Sequence, residues 1–329
     1  MKYKNILITG GVGFIGTNLI KKLLEEENNV ICIDNLYTGN INNIKQFLDC
    51  DNFRFIKHDI TRPILIKEDI DEIYHLACPA SPPHYQKNPI FTLNTSISGT
   101  INILELAKEH NAKVLHASTS EVYGNPLEHP QKETYWGNVN PIGPRACYDE
   151  GKRVAETYCY EYWKNFGLDV RIVRIFNTYG PYMNPNDGRV VSNFIIQALK
   201  NEPLTVYGDG TQTRSFQYID DLINGMLKFM EIDKNKLKND LEKKFNWTTI
   251  PVLNMGNPEE YSILELANKI LELIPESKSK IEFKPLPKDD PVRRKPDITM
   301  AKEILGWEPK IKLEMGLKRT IEYFRYILK

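Results

Sequence analysis

Residues 5–16 read Asn5-Ile6-Leu7-Ile8-Thr9-Gly10-Gly11-Val12-Gly13-Phe14-Ile15-Gly16. The apolar run stops at glycines, as a buried strand of a parallel sheet does where it turns into a helix. Helical spacing follows at Phe14, Ile15, Leu19, Ile20, Leu23 and Leu24, and a second apolar run, Val30-Ile31-Cys32-Ile33, stops at Asp34. Strand, glycine turn, helix and strand together take about 30 residues, the size of one β–α–β unit. Glycines at such a turn let backbone N–H groups approach a diphosphate at the helix N-terminus. A carboxylate ending the second strand is placed to accept hydrogen bonds from ribose hydroxyls and to repel a 2′-phosphate. Gly10, Gly13, Gly16 and Asp34 therefore predict a dinucleotide site that favours NAD over NADP. The plainer alternative for Asp34 is a turn or helix-cap residue.

Working outward, strand patterns recur at 53–56, 72–77, 113–117 and 169–175, and helical patterns at 97–109 and 148–166. This alternation predicts an α/β fold with a doubly wound parallel sheet. After Asn177 the pattern loosens into helices at 190–200, 220–230, 263–274 and 313–328, with short strands near 204–207 and 216–218. Prolines gather at 285, 287, 291, 296 and 309. We expect residues 1–177 to form the nucleotide-binding domain. Residues 178–329 are expected to form mainly a smaller, mixed α/β substrate lobe over the sheet's carboxyl edge, with some elements returning to the first domain. The Lys- and Asn-rich run 233–249 is expected as an exposed loop or frayed helix end.

Lys+Arg and Asp+Glu are 43 each. A formal net charge of zero argues against a general nucleic-acid binder, which needs excess basic charge. Five cysteines, Cys32, Cys50, Cys78, Cys147 and Cys159, form no Cys-x-x-Cys pair and no metal-ligand spacing, so reduced thiols and no metal are expected. No apolar run reaches the ~18–20 residues that span a bilayer. Met1 leads almost directly into the first strand pattern, so neither a signal peptide nor a membrane anchor is expected.

Tyr148 and Lys152 stand four residues apart in a helical pattern, which puts both on one face. There the ammonium would lower the phenol's pKa and hold the nicotinamide ribose, so that a tyrosinate could accept a proton from a sugar hydroxyl. The plainer alternative is a solvated helix face. The strand 113–117 runs into Ser118-Thr119-Ser120-Glu121-Val122-Tyr123-Gly124, where a hydroxyl could join the same proton relay or cap the turn. In His58-Asp59-Ile60, Asp59 is either an acceptor for an adenine amino group or an ordinary loop carboxylate.

The glycine motif, Ser118–Gly124 and Tyr-x-x-x-Lys together resemble the Rossmann-like extended short-chain dehydrogenases that act on nucleotide sugars. The resemblance sharpens at His75-Leu76-Ala77-Cys78-Pro79-Ala80-Ser81-Pro82-Pro83 and at the segment from Asn140 through Pro144-Arg145-Ala146-Cys147-Tyr148-Asp149-Glu150-Gly151-Lys152-Arg153. It continues at Arg174–Pro181, Asn186–Phe194 and Asp290-Pro291-Val292-Arg293-Arg294-Lys295-Pro296-Asp297. Over nearly its whole length the chain resembles the UDP-glucuronate decarboxylase family. That resemblance implies oxidation of UDP-glucuronate at C4 with bound NAD⁺ and loss of carbon dioxide from C5, β to the new ketone. Protonation of the enolate and return of the hydride then give UDP-xylose.

By the same resemblance Tyr148 is the base, Lys152 its electrostatic partner and Thr119 a hydroxyl on the sugar. Ser120, Glu121 and Arg294 match positions around the departing carboxylate. Cofactor contacts are implied for Phe14, Ile15, Asn35, Thr38, Gly39, Asp59, Ile60, Leu76 and Thr95. Asn177, Arg189, Tyr207 and Arg214 match substrate positions, an Arg being suited to bidentate phosphate binding. Their alternatives are turn capping for Asn177, surface salt bridges for the two arginines and core packing for Tyr207; for Arg294 it is a structural ion pair. Ser120 stands where the related 4,6-dehydratases carry an acid, which disfavours elimination of water. The 4-epimerases lack a counterpart of Glu121 or Arg294. A cytoplasmic homodimer paired through 97–109 and 148–166 is also implied. Asn94 departs from the family's frequent Lys, and Cys78 from a usual Ser.

Overall fold

The computed structural model describes residues 3–286 and 293–328. The Asp290-Pro291-Val292 part of the last motif, with Pro287, lies outside the described residues. β1 (Asn5–Thr9) leads through the glycine turn into α1 (Phe14–Glu25), followed by β2 (Asn29–Asp34), β3 (Phe53–Lys57) and β4 (Glu72–His75). Next come α2 (Pro82–Lys87), α3 (Pro89–Asn94), α4 (Thr100–His110), β5 (Lys113–Thr119), α5 (Ala146–Phe166) and β6 (Val170–Ile175). The helix expected at 97–109 thus starts differently: Pro89 opens α3, which passes through a π turn at Thr95–Gly99 into α4. Proline at a first helical turn loses no hydrogen bond there, which allows the early start. Asn111 and Gly167, both left-handed, end α4 and α5.

The second half holds β7 (Thr178–Tyr179), α6 (Val190–Lys200), β8 (Leu204–Tyr207), β9 (Thr213–Ser215), β10 (Gln217–Tyr218), α7 (Ile219–Glu231) and α8 (Lys234–Phe245). It ends with β11 (Val252–Met255), β12 (Glu260–Ser262), α9 (Ile263–Leu273), β13 (Ile281–Lys284), β14 (Arg293–Arg294), α10 (Thr299–Leu305) and α11 (Leu313–Ile327). The main sheet is parallel, in the order β11-β6-β5-β4-β1-β2-β3. Successive strand residues face opposite sides. Ile6, Ile8, Val30, Cys32, Tyr74, Leu115 and Leu253 enter one core, and Leu7, Ile31, Ile33, Ile73, Val114 and Ile172 the other. Both faces are covered, which is why the strands read as unbroken apolar runs rather than as alternation. The seventh strand, β11, was not expected from the sequence; it pairs Val252–Met255 with Ile172–Ile175, across the boundary drawn at residue 177.

The run 233–249, expected as an exposed loop or frayed helix end, instead forms a capped and partly buried helix. Asp233 accepts hydrogen bonds from the N–H groups of Asn235 and Lys236, both at 2.9 Å, and so caps α8. Leu237 and Leu241, one turn apart, are buried, so a short apolar stripe holds a helix whose other faces are charged. Leu241→Ala should cost about 2–5 kcal/mol in urea unfolding, whereas a loop position would cost almost nothing.

The small β12-β9-β14 sheet matters most for the site. Parallel pairing of β14 with β9 sets Arg294 opposite Arg214, and both side chains reach the cleft above the main sheet.

Candidate active site

A cleft of about 1520 Å³ lies over the carboxyl ends of the central strands, between the main sheet and the later elements. Its first wall is the glycine turn. Gly10 has φ +72, and a Cβ there would lie 2.8 Å from the Ala77 backbone. A Cβ on Gly16 would lie 2.5 Å from both the Gly10 carbonyl oxygen and the Gly11 Cα. The tight approach leaves the first N–H groups of α1 facing the cleft with no side-chain cap on Gly13, which suits an anionic diphosphate. Gly16→Ala should cut the NAD content of the purified protein about ten-fold, because the backbone clash cannot be relieved by a rotamer; a loss of 1.4 kcal/mol already gives that factor. Released dinucleotide, measured after denaturation, is the readout.

Asp34 ends β2 and lines the cleft, accepting from the N–H groups of Leu36 at 2.8 Å and Val12 at 3.2 Å. Burial raises its pKa, while these bonds oppose the rise. Of the other expected cofactor residues, Gly13, Phe14, Ile15, Asn35, Thr38, Gly39, Ile60, Leu76 and Thr95 also line the cleft. Asp59 does not. Its carboxylate turns back to accept from the Thr61 N–H at 2.9 Å and the Thr61 hydroxyl at 2.8 Å, and from Asn35 Nδ2 at 3.2 Å. Burial would raise this carboxyl, but the bonds from Thr61 and Asn35 bring it below its ordinary value. The plainer reading, a loop carboxylate, describes its place. Cys78 lines the cleft with its sulfur 3.3 Å from Ser96 Oγ, whereas Asn94 is exposed and outside the lining.

The second wall carries the titratable groups. β5 ends at Thr119, whose hydroxyl accepts from the Glu121 N–H at 3.2 Å and caps the short turn Ser120–Tyr123. The Tyr148 phenol lies near enough to this hydroxyl for Thr119 to ease its ionisation. Tyr148 and Lys152 both line the cleft from α5. One expectation is corrected here. Lys152 donates to the Ala117 carbonyl oxygen at 2.8 Å, and the Tyr148 phenol is pushed up, first by burial and then by the neighbouring Cys78, with nearby Thr119 opposing. Desolvation outweighs any nearby positive charge. The Tyr148 ring lies nearly parallel to that of Tyr85, 4° apart with centroids at 5.1 Å.

Beyond Thr119 the turn delivers Ser120 and Glu121 to Arg294. Arg294 is 2% exposed and donates to Ser120 Oγ at 2.9 Å, Glu121 Oε1 at 2.8 Å and the Gly124 carbonyl at 2.8 Å. Arg145 closes on the other oxygen of Glu121. Burial alone would raise Glu121; Arg294 and then Arg145 outweigh it and hold the carboxyl at about 2. Asp149 is pushed up to about 7 by burial and by Glu121, against Arg145. Arg294 is thus a structural ion-pair partner and a cleft residue at once.

Asn177, Arg189, Tyr207 and Arg214 line the remaining wall. Arg189 pairs with Asp187, Arg214 donates to the Thr213 carbonyl at 2.9 Å, and Tyr207 is 41% exposed, not in the core. Arg145 and Tyr85 also line the site, and the sequence reading gave them no role. Arg145 had a signal, since it stands one helical turn before Tyr148; Tyr85 had none.

Residues 7–320 match the family model described as GDP-mannose 4,6 dehydratase. UDP-glucuronic acid decarboxylase 1 of Danio rerio is 54% identical over 321 residues, covering 98% of this chain and 72% of the relative. UDP-glucuronic acid decarboxylase 5 of Arabidopsis thaliana is 54% identical over 323 residues, covering 97% and 89%. Among solved structures, the UDP-glucuronic acid 4-epimerase of Bacillus cereus in complex with UDP-glucuronic acid and NAD superposes with a TM-score of 0.85 at 31% identity, covering 98% of this chain and 99% of that one. Parallel-sheet topology, glycine cradle and these likenesses agree, and the chain belongs to the extended short-chain dehydrogenases of the GDP-mannose 4,6 dehydratase family, among their UDP-glucuronic acid decarboxylases.

Proposed function

We propose that the chain converts UDP-glucuronate into UDP-xylose and carbon dioxide, using NAD held by the glycine cradle and Asp34. The observation that carries this reading is the Ser120–Glu121–Arg294 cluster, set in the same cleft as Tyr148 and Thr119. The decarboxylase relatives support it by name. The dinucleotide, when bound, supplies a hydride acceptor that later gives the hydride back. Tyr148, once its phenol has released its own proton, accepts the proton of the sugar's O4 hydroxyl, and Thr119 orients both groups. Lys152 holds the ribose beside them. The ketone formed at C4 lies β to the carboxylate on C5, so the electrons of the breaking C–C bond delocalise into the carbonyl oxygen. Arg294 faces that carboxylate, and Glu121, kept anionic by its two arginines, stops the guanidinium from binding it too tightly to let carbon dioxide leave. Arg189 and Arg214 hold the diphosphate, Tyr207 the base and Asn177 the sugar.

We further infer a first domain over 1–177 with β11 completing its sheet, a substrate lobe from most of 178–329, a cytoplasmic location and a homodimer formed through α4 and α5. Half-exposed Phe166 and the aromatic side chains of α5 support the pairing, and five free thiols the compartment. Among the described residues, no helix is long and apolar enough to cross a membrane. The test incubates the protein separately with UDP-glucuronate, UDP-glucose and UDP-N-acetylglucosamine. Carbon dioxide from the first alone, with a pentose nucleotide by mass, is expected. A 4-keto-6-deoxy sugar from UDP-glucose, or a six-carbon epimer of UDP-glucuronate, would overturn the reading.

A further inference from the structure

At the glycine-turn end of the cleft, two segments far apart in sequence meet. The first is the helical turn Ile41–Phe47, pinned by buried Ile44 and Phe47 and tied to the glycine loop by Asn43 Nδ2, which donates to the Val12 carbonyl at 3.1 Å. The second is the loop 180–189, tied to α1 by Asn18 Nδ2, which donates to the Pro181 carbonyl at 3.1 Å. Both line the cleft, one tied to the glycine loop and the other to the helix that the loop opens. Gln46 Nε2 donates to the Tyr182 hydroxyl at 2.9 Å and joins them. Tyr182 has φ +70, a left-handed conformation that a bulky side chain holds only when its surroundings over-determine it. Its ring packs on Tyr323 of α11, centroids 5.4 Å apart, and the next residue, Met183, is buried. The strained backbone therefore aims the phenol across the opening at Gln46.

We propose that Gln46, Tyr182 and Tyr323 form a clasp over the glycine turn that slows escape of the dinucleotide. Retention has a chemical purpose, and this part rests on the proposed function. The hydride taken from C4 must return to the same sugar after carbon dioxide has left. If the reduced dinucleotide departs first, it carries away both electrons. The sugar then leaves as a 4-keto pentose nucleotide, and the next cycle needs a fresh oxidised dinucleotide from solution. A longer residence time keeps the redox cycle closed without touching the reacting atoms. Gln46 and Tyr182 are positioning residues in this sense, since they act through the lifetime of the cofactor.

The test loads the full-length protein with NADH and follows loss of its fluorescence after a chase of excess NAD⁺, with no sugar present. Gln46→Ala and Tyr182→Phe should each speed dissociation about five-fold, as loss of one net hydrogen bond predicts. The double variant should match the singles, because both remove the same bond. With UDP-glucuronate, the ratio of 4-keto pentose to UDP-xylose by mass should rise by a similar factor. Wild-type dissociation rates in both singles, or additive effects in the double variant, would overturn the clasp. Gln46 is exposed, so its truncation leaves folding intact, which thermal unfolding verifies. Absence of any carbon dioxide from the wild-type protein would sink the proposed function, yet the sugar-free dissociation rates would still decide the clasp.

Discussion

Tyr148→Phe is expected to lower turnover of UDP-glucuronate by about 10²–10⁴-fold, the range for loss of a positioned acid–base group, while the protein keeps its NAD. The phenyl ring preserves the parallel packing on Tyr85 and loses only the hydroxyl. Stability should therefore change by no more than about 1 kcal/mol, the net value of one hydrogen bond. The raised phenol pKa adds a second readout. Burial keeps Tyr148 protonated near neutrality, so the substrate's hydroxyl proton can pass only once the phenol has given up its own. The rate for the wild-type protein should climb with pH on the alkaline side, and the residual rate of Tyr148→Phe should lose that climb. Turnover within a factor of two of wild type would end the assignment of Tyr148 as base.

Arg294→Gln should reduce carbon dioxide release by about 10²–10³-fold, the usual loss when a preorganised electrostatic contact is removed. Dinucleotide reduction by UDP-glucuronate, followed by absorbance, should survive, because Tyr148, Thr119 and Lys152 do not touch Arg294. A stability loss accompanies this change. Arg294 is buried and shares Glu121 with Arg145, and breaking a buried pair costs about 3–5 kcal/mol when the remaining charge is stranded. Arg145 remains on Glu121, so the lower end of that range is expected in urea unfolding. Glu121 also sets an acid limit. Its folded pKa of about 2 lies below the ordinary 4.5, so its stabilisation is complete above pH 4.5 and is lost as pH falls toward 2. Glu121→Gln should flatten the stability profile over that window. Undiminished carbon dioxide release by Arg294→Gln would leave Arg294 a purely structural role.

Much of this architecture is written locally. The apolar runs at 5–9 and 30–33 are buried on both faces of a parallel sheet, so strand identity shows as composition alone. Gly10 and Gly16 are dictated by a backbone approach that no Cβ tolerates. The spacing of Tyr148 and Lys152 places both on one side of α5 whatever surrounds it. In the run 233–249, charge density hides the signals of a helix, two leucines one turn apart and an aspartate cap. Short β11, four residues between Pro251 and Gly256 with polar Asn254 among them, gains its strand character from pairing with β6.

Sequence alone determined the layered α/β fold, the dinucleotide cradle and the side chains we propose for the chemistry, because each depends on neighbours within one turn or one strand. Tertiary structure decided what those residues do to one another. Lys152 bonds the Ala117 carbonyl, Glu121 lies between guanidiniums from residues 145 and 294, and Gln46 meets Tyr182 across the cleft. Burial and charge pairing are sums over everything within a few ångströms, and chain order does not contain that neighbourhood until the sheet, the β14 ladder and the loops have folded around the cleft.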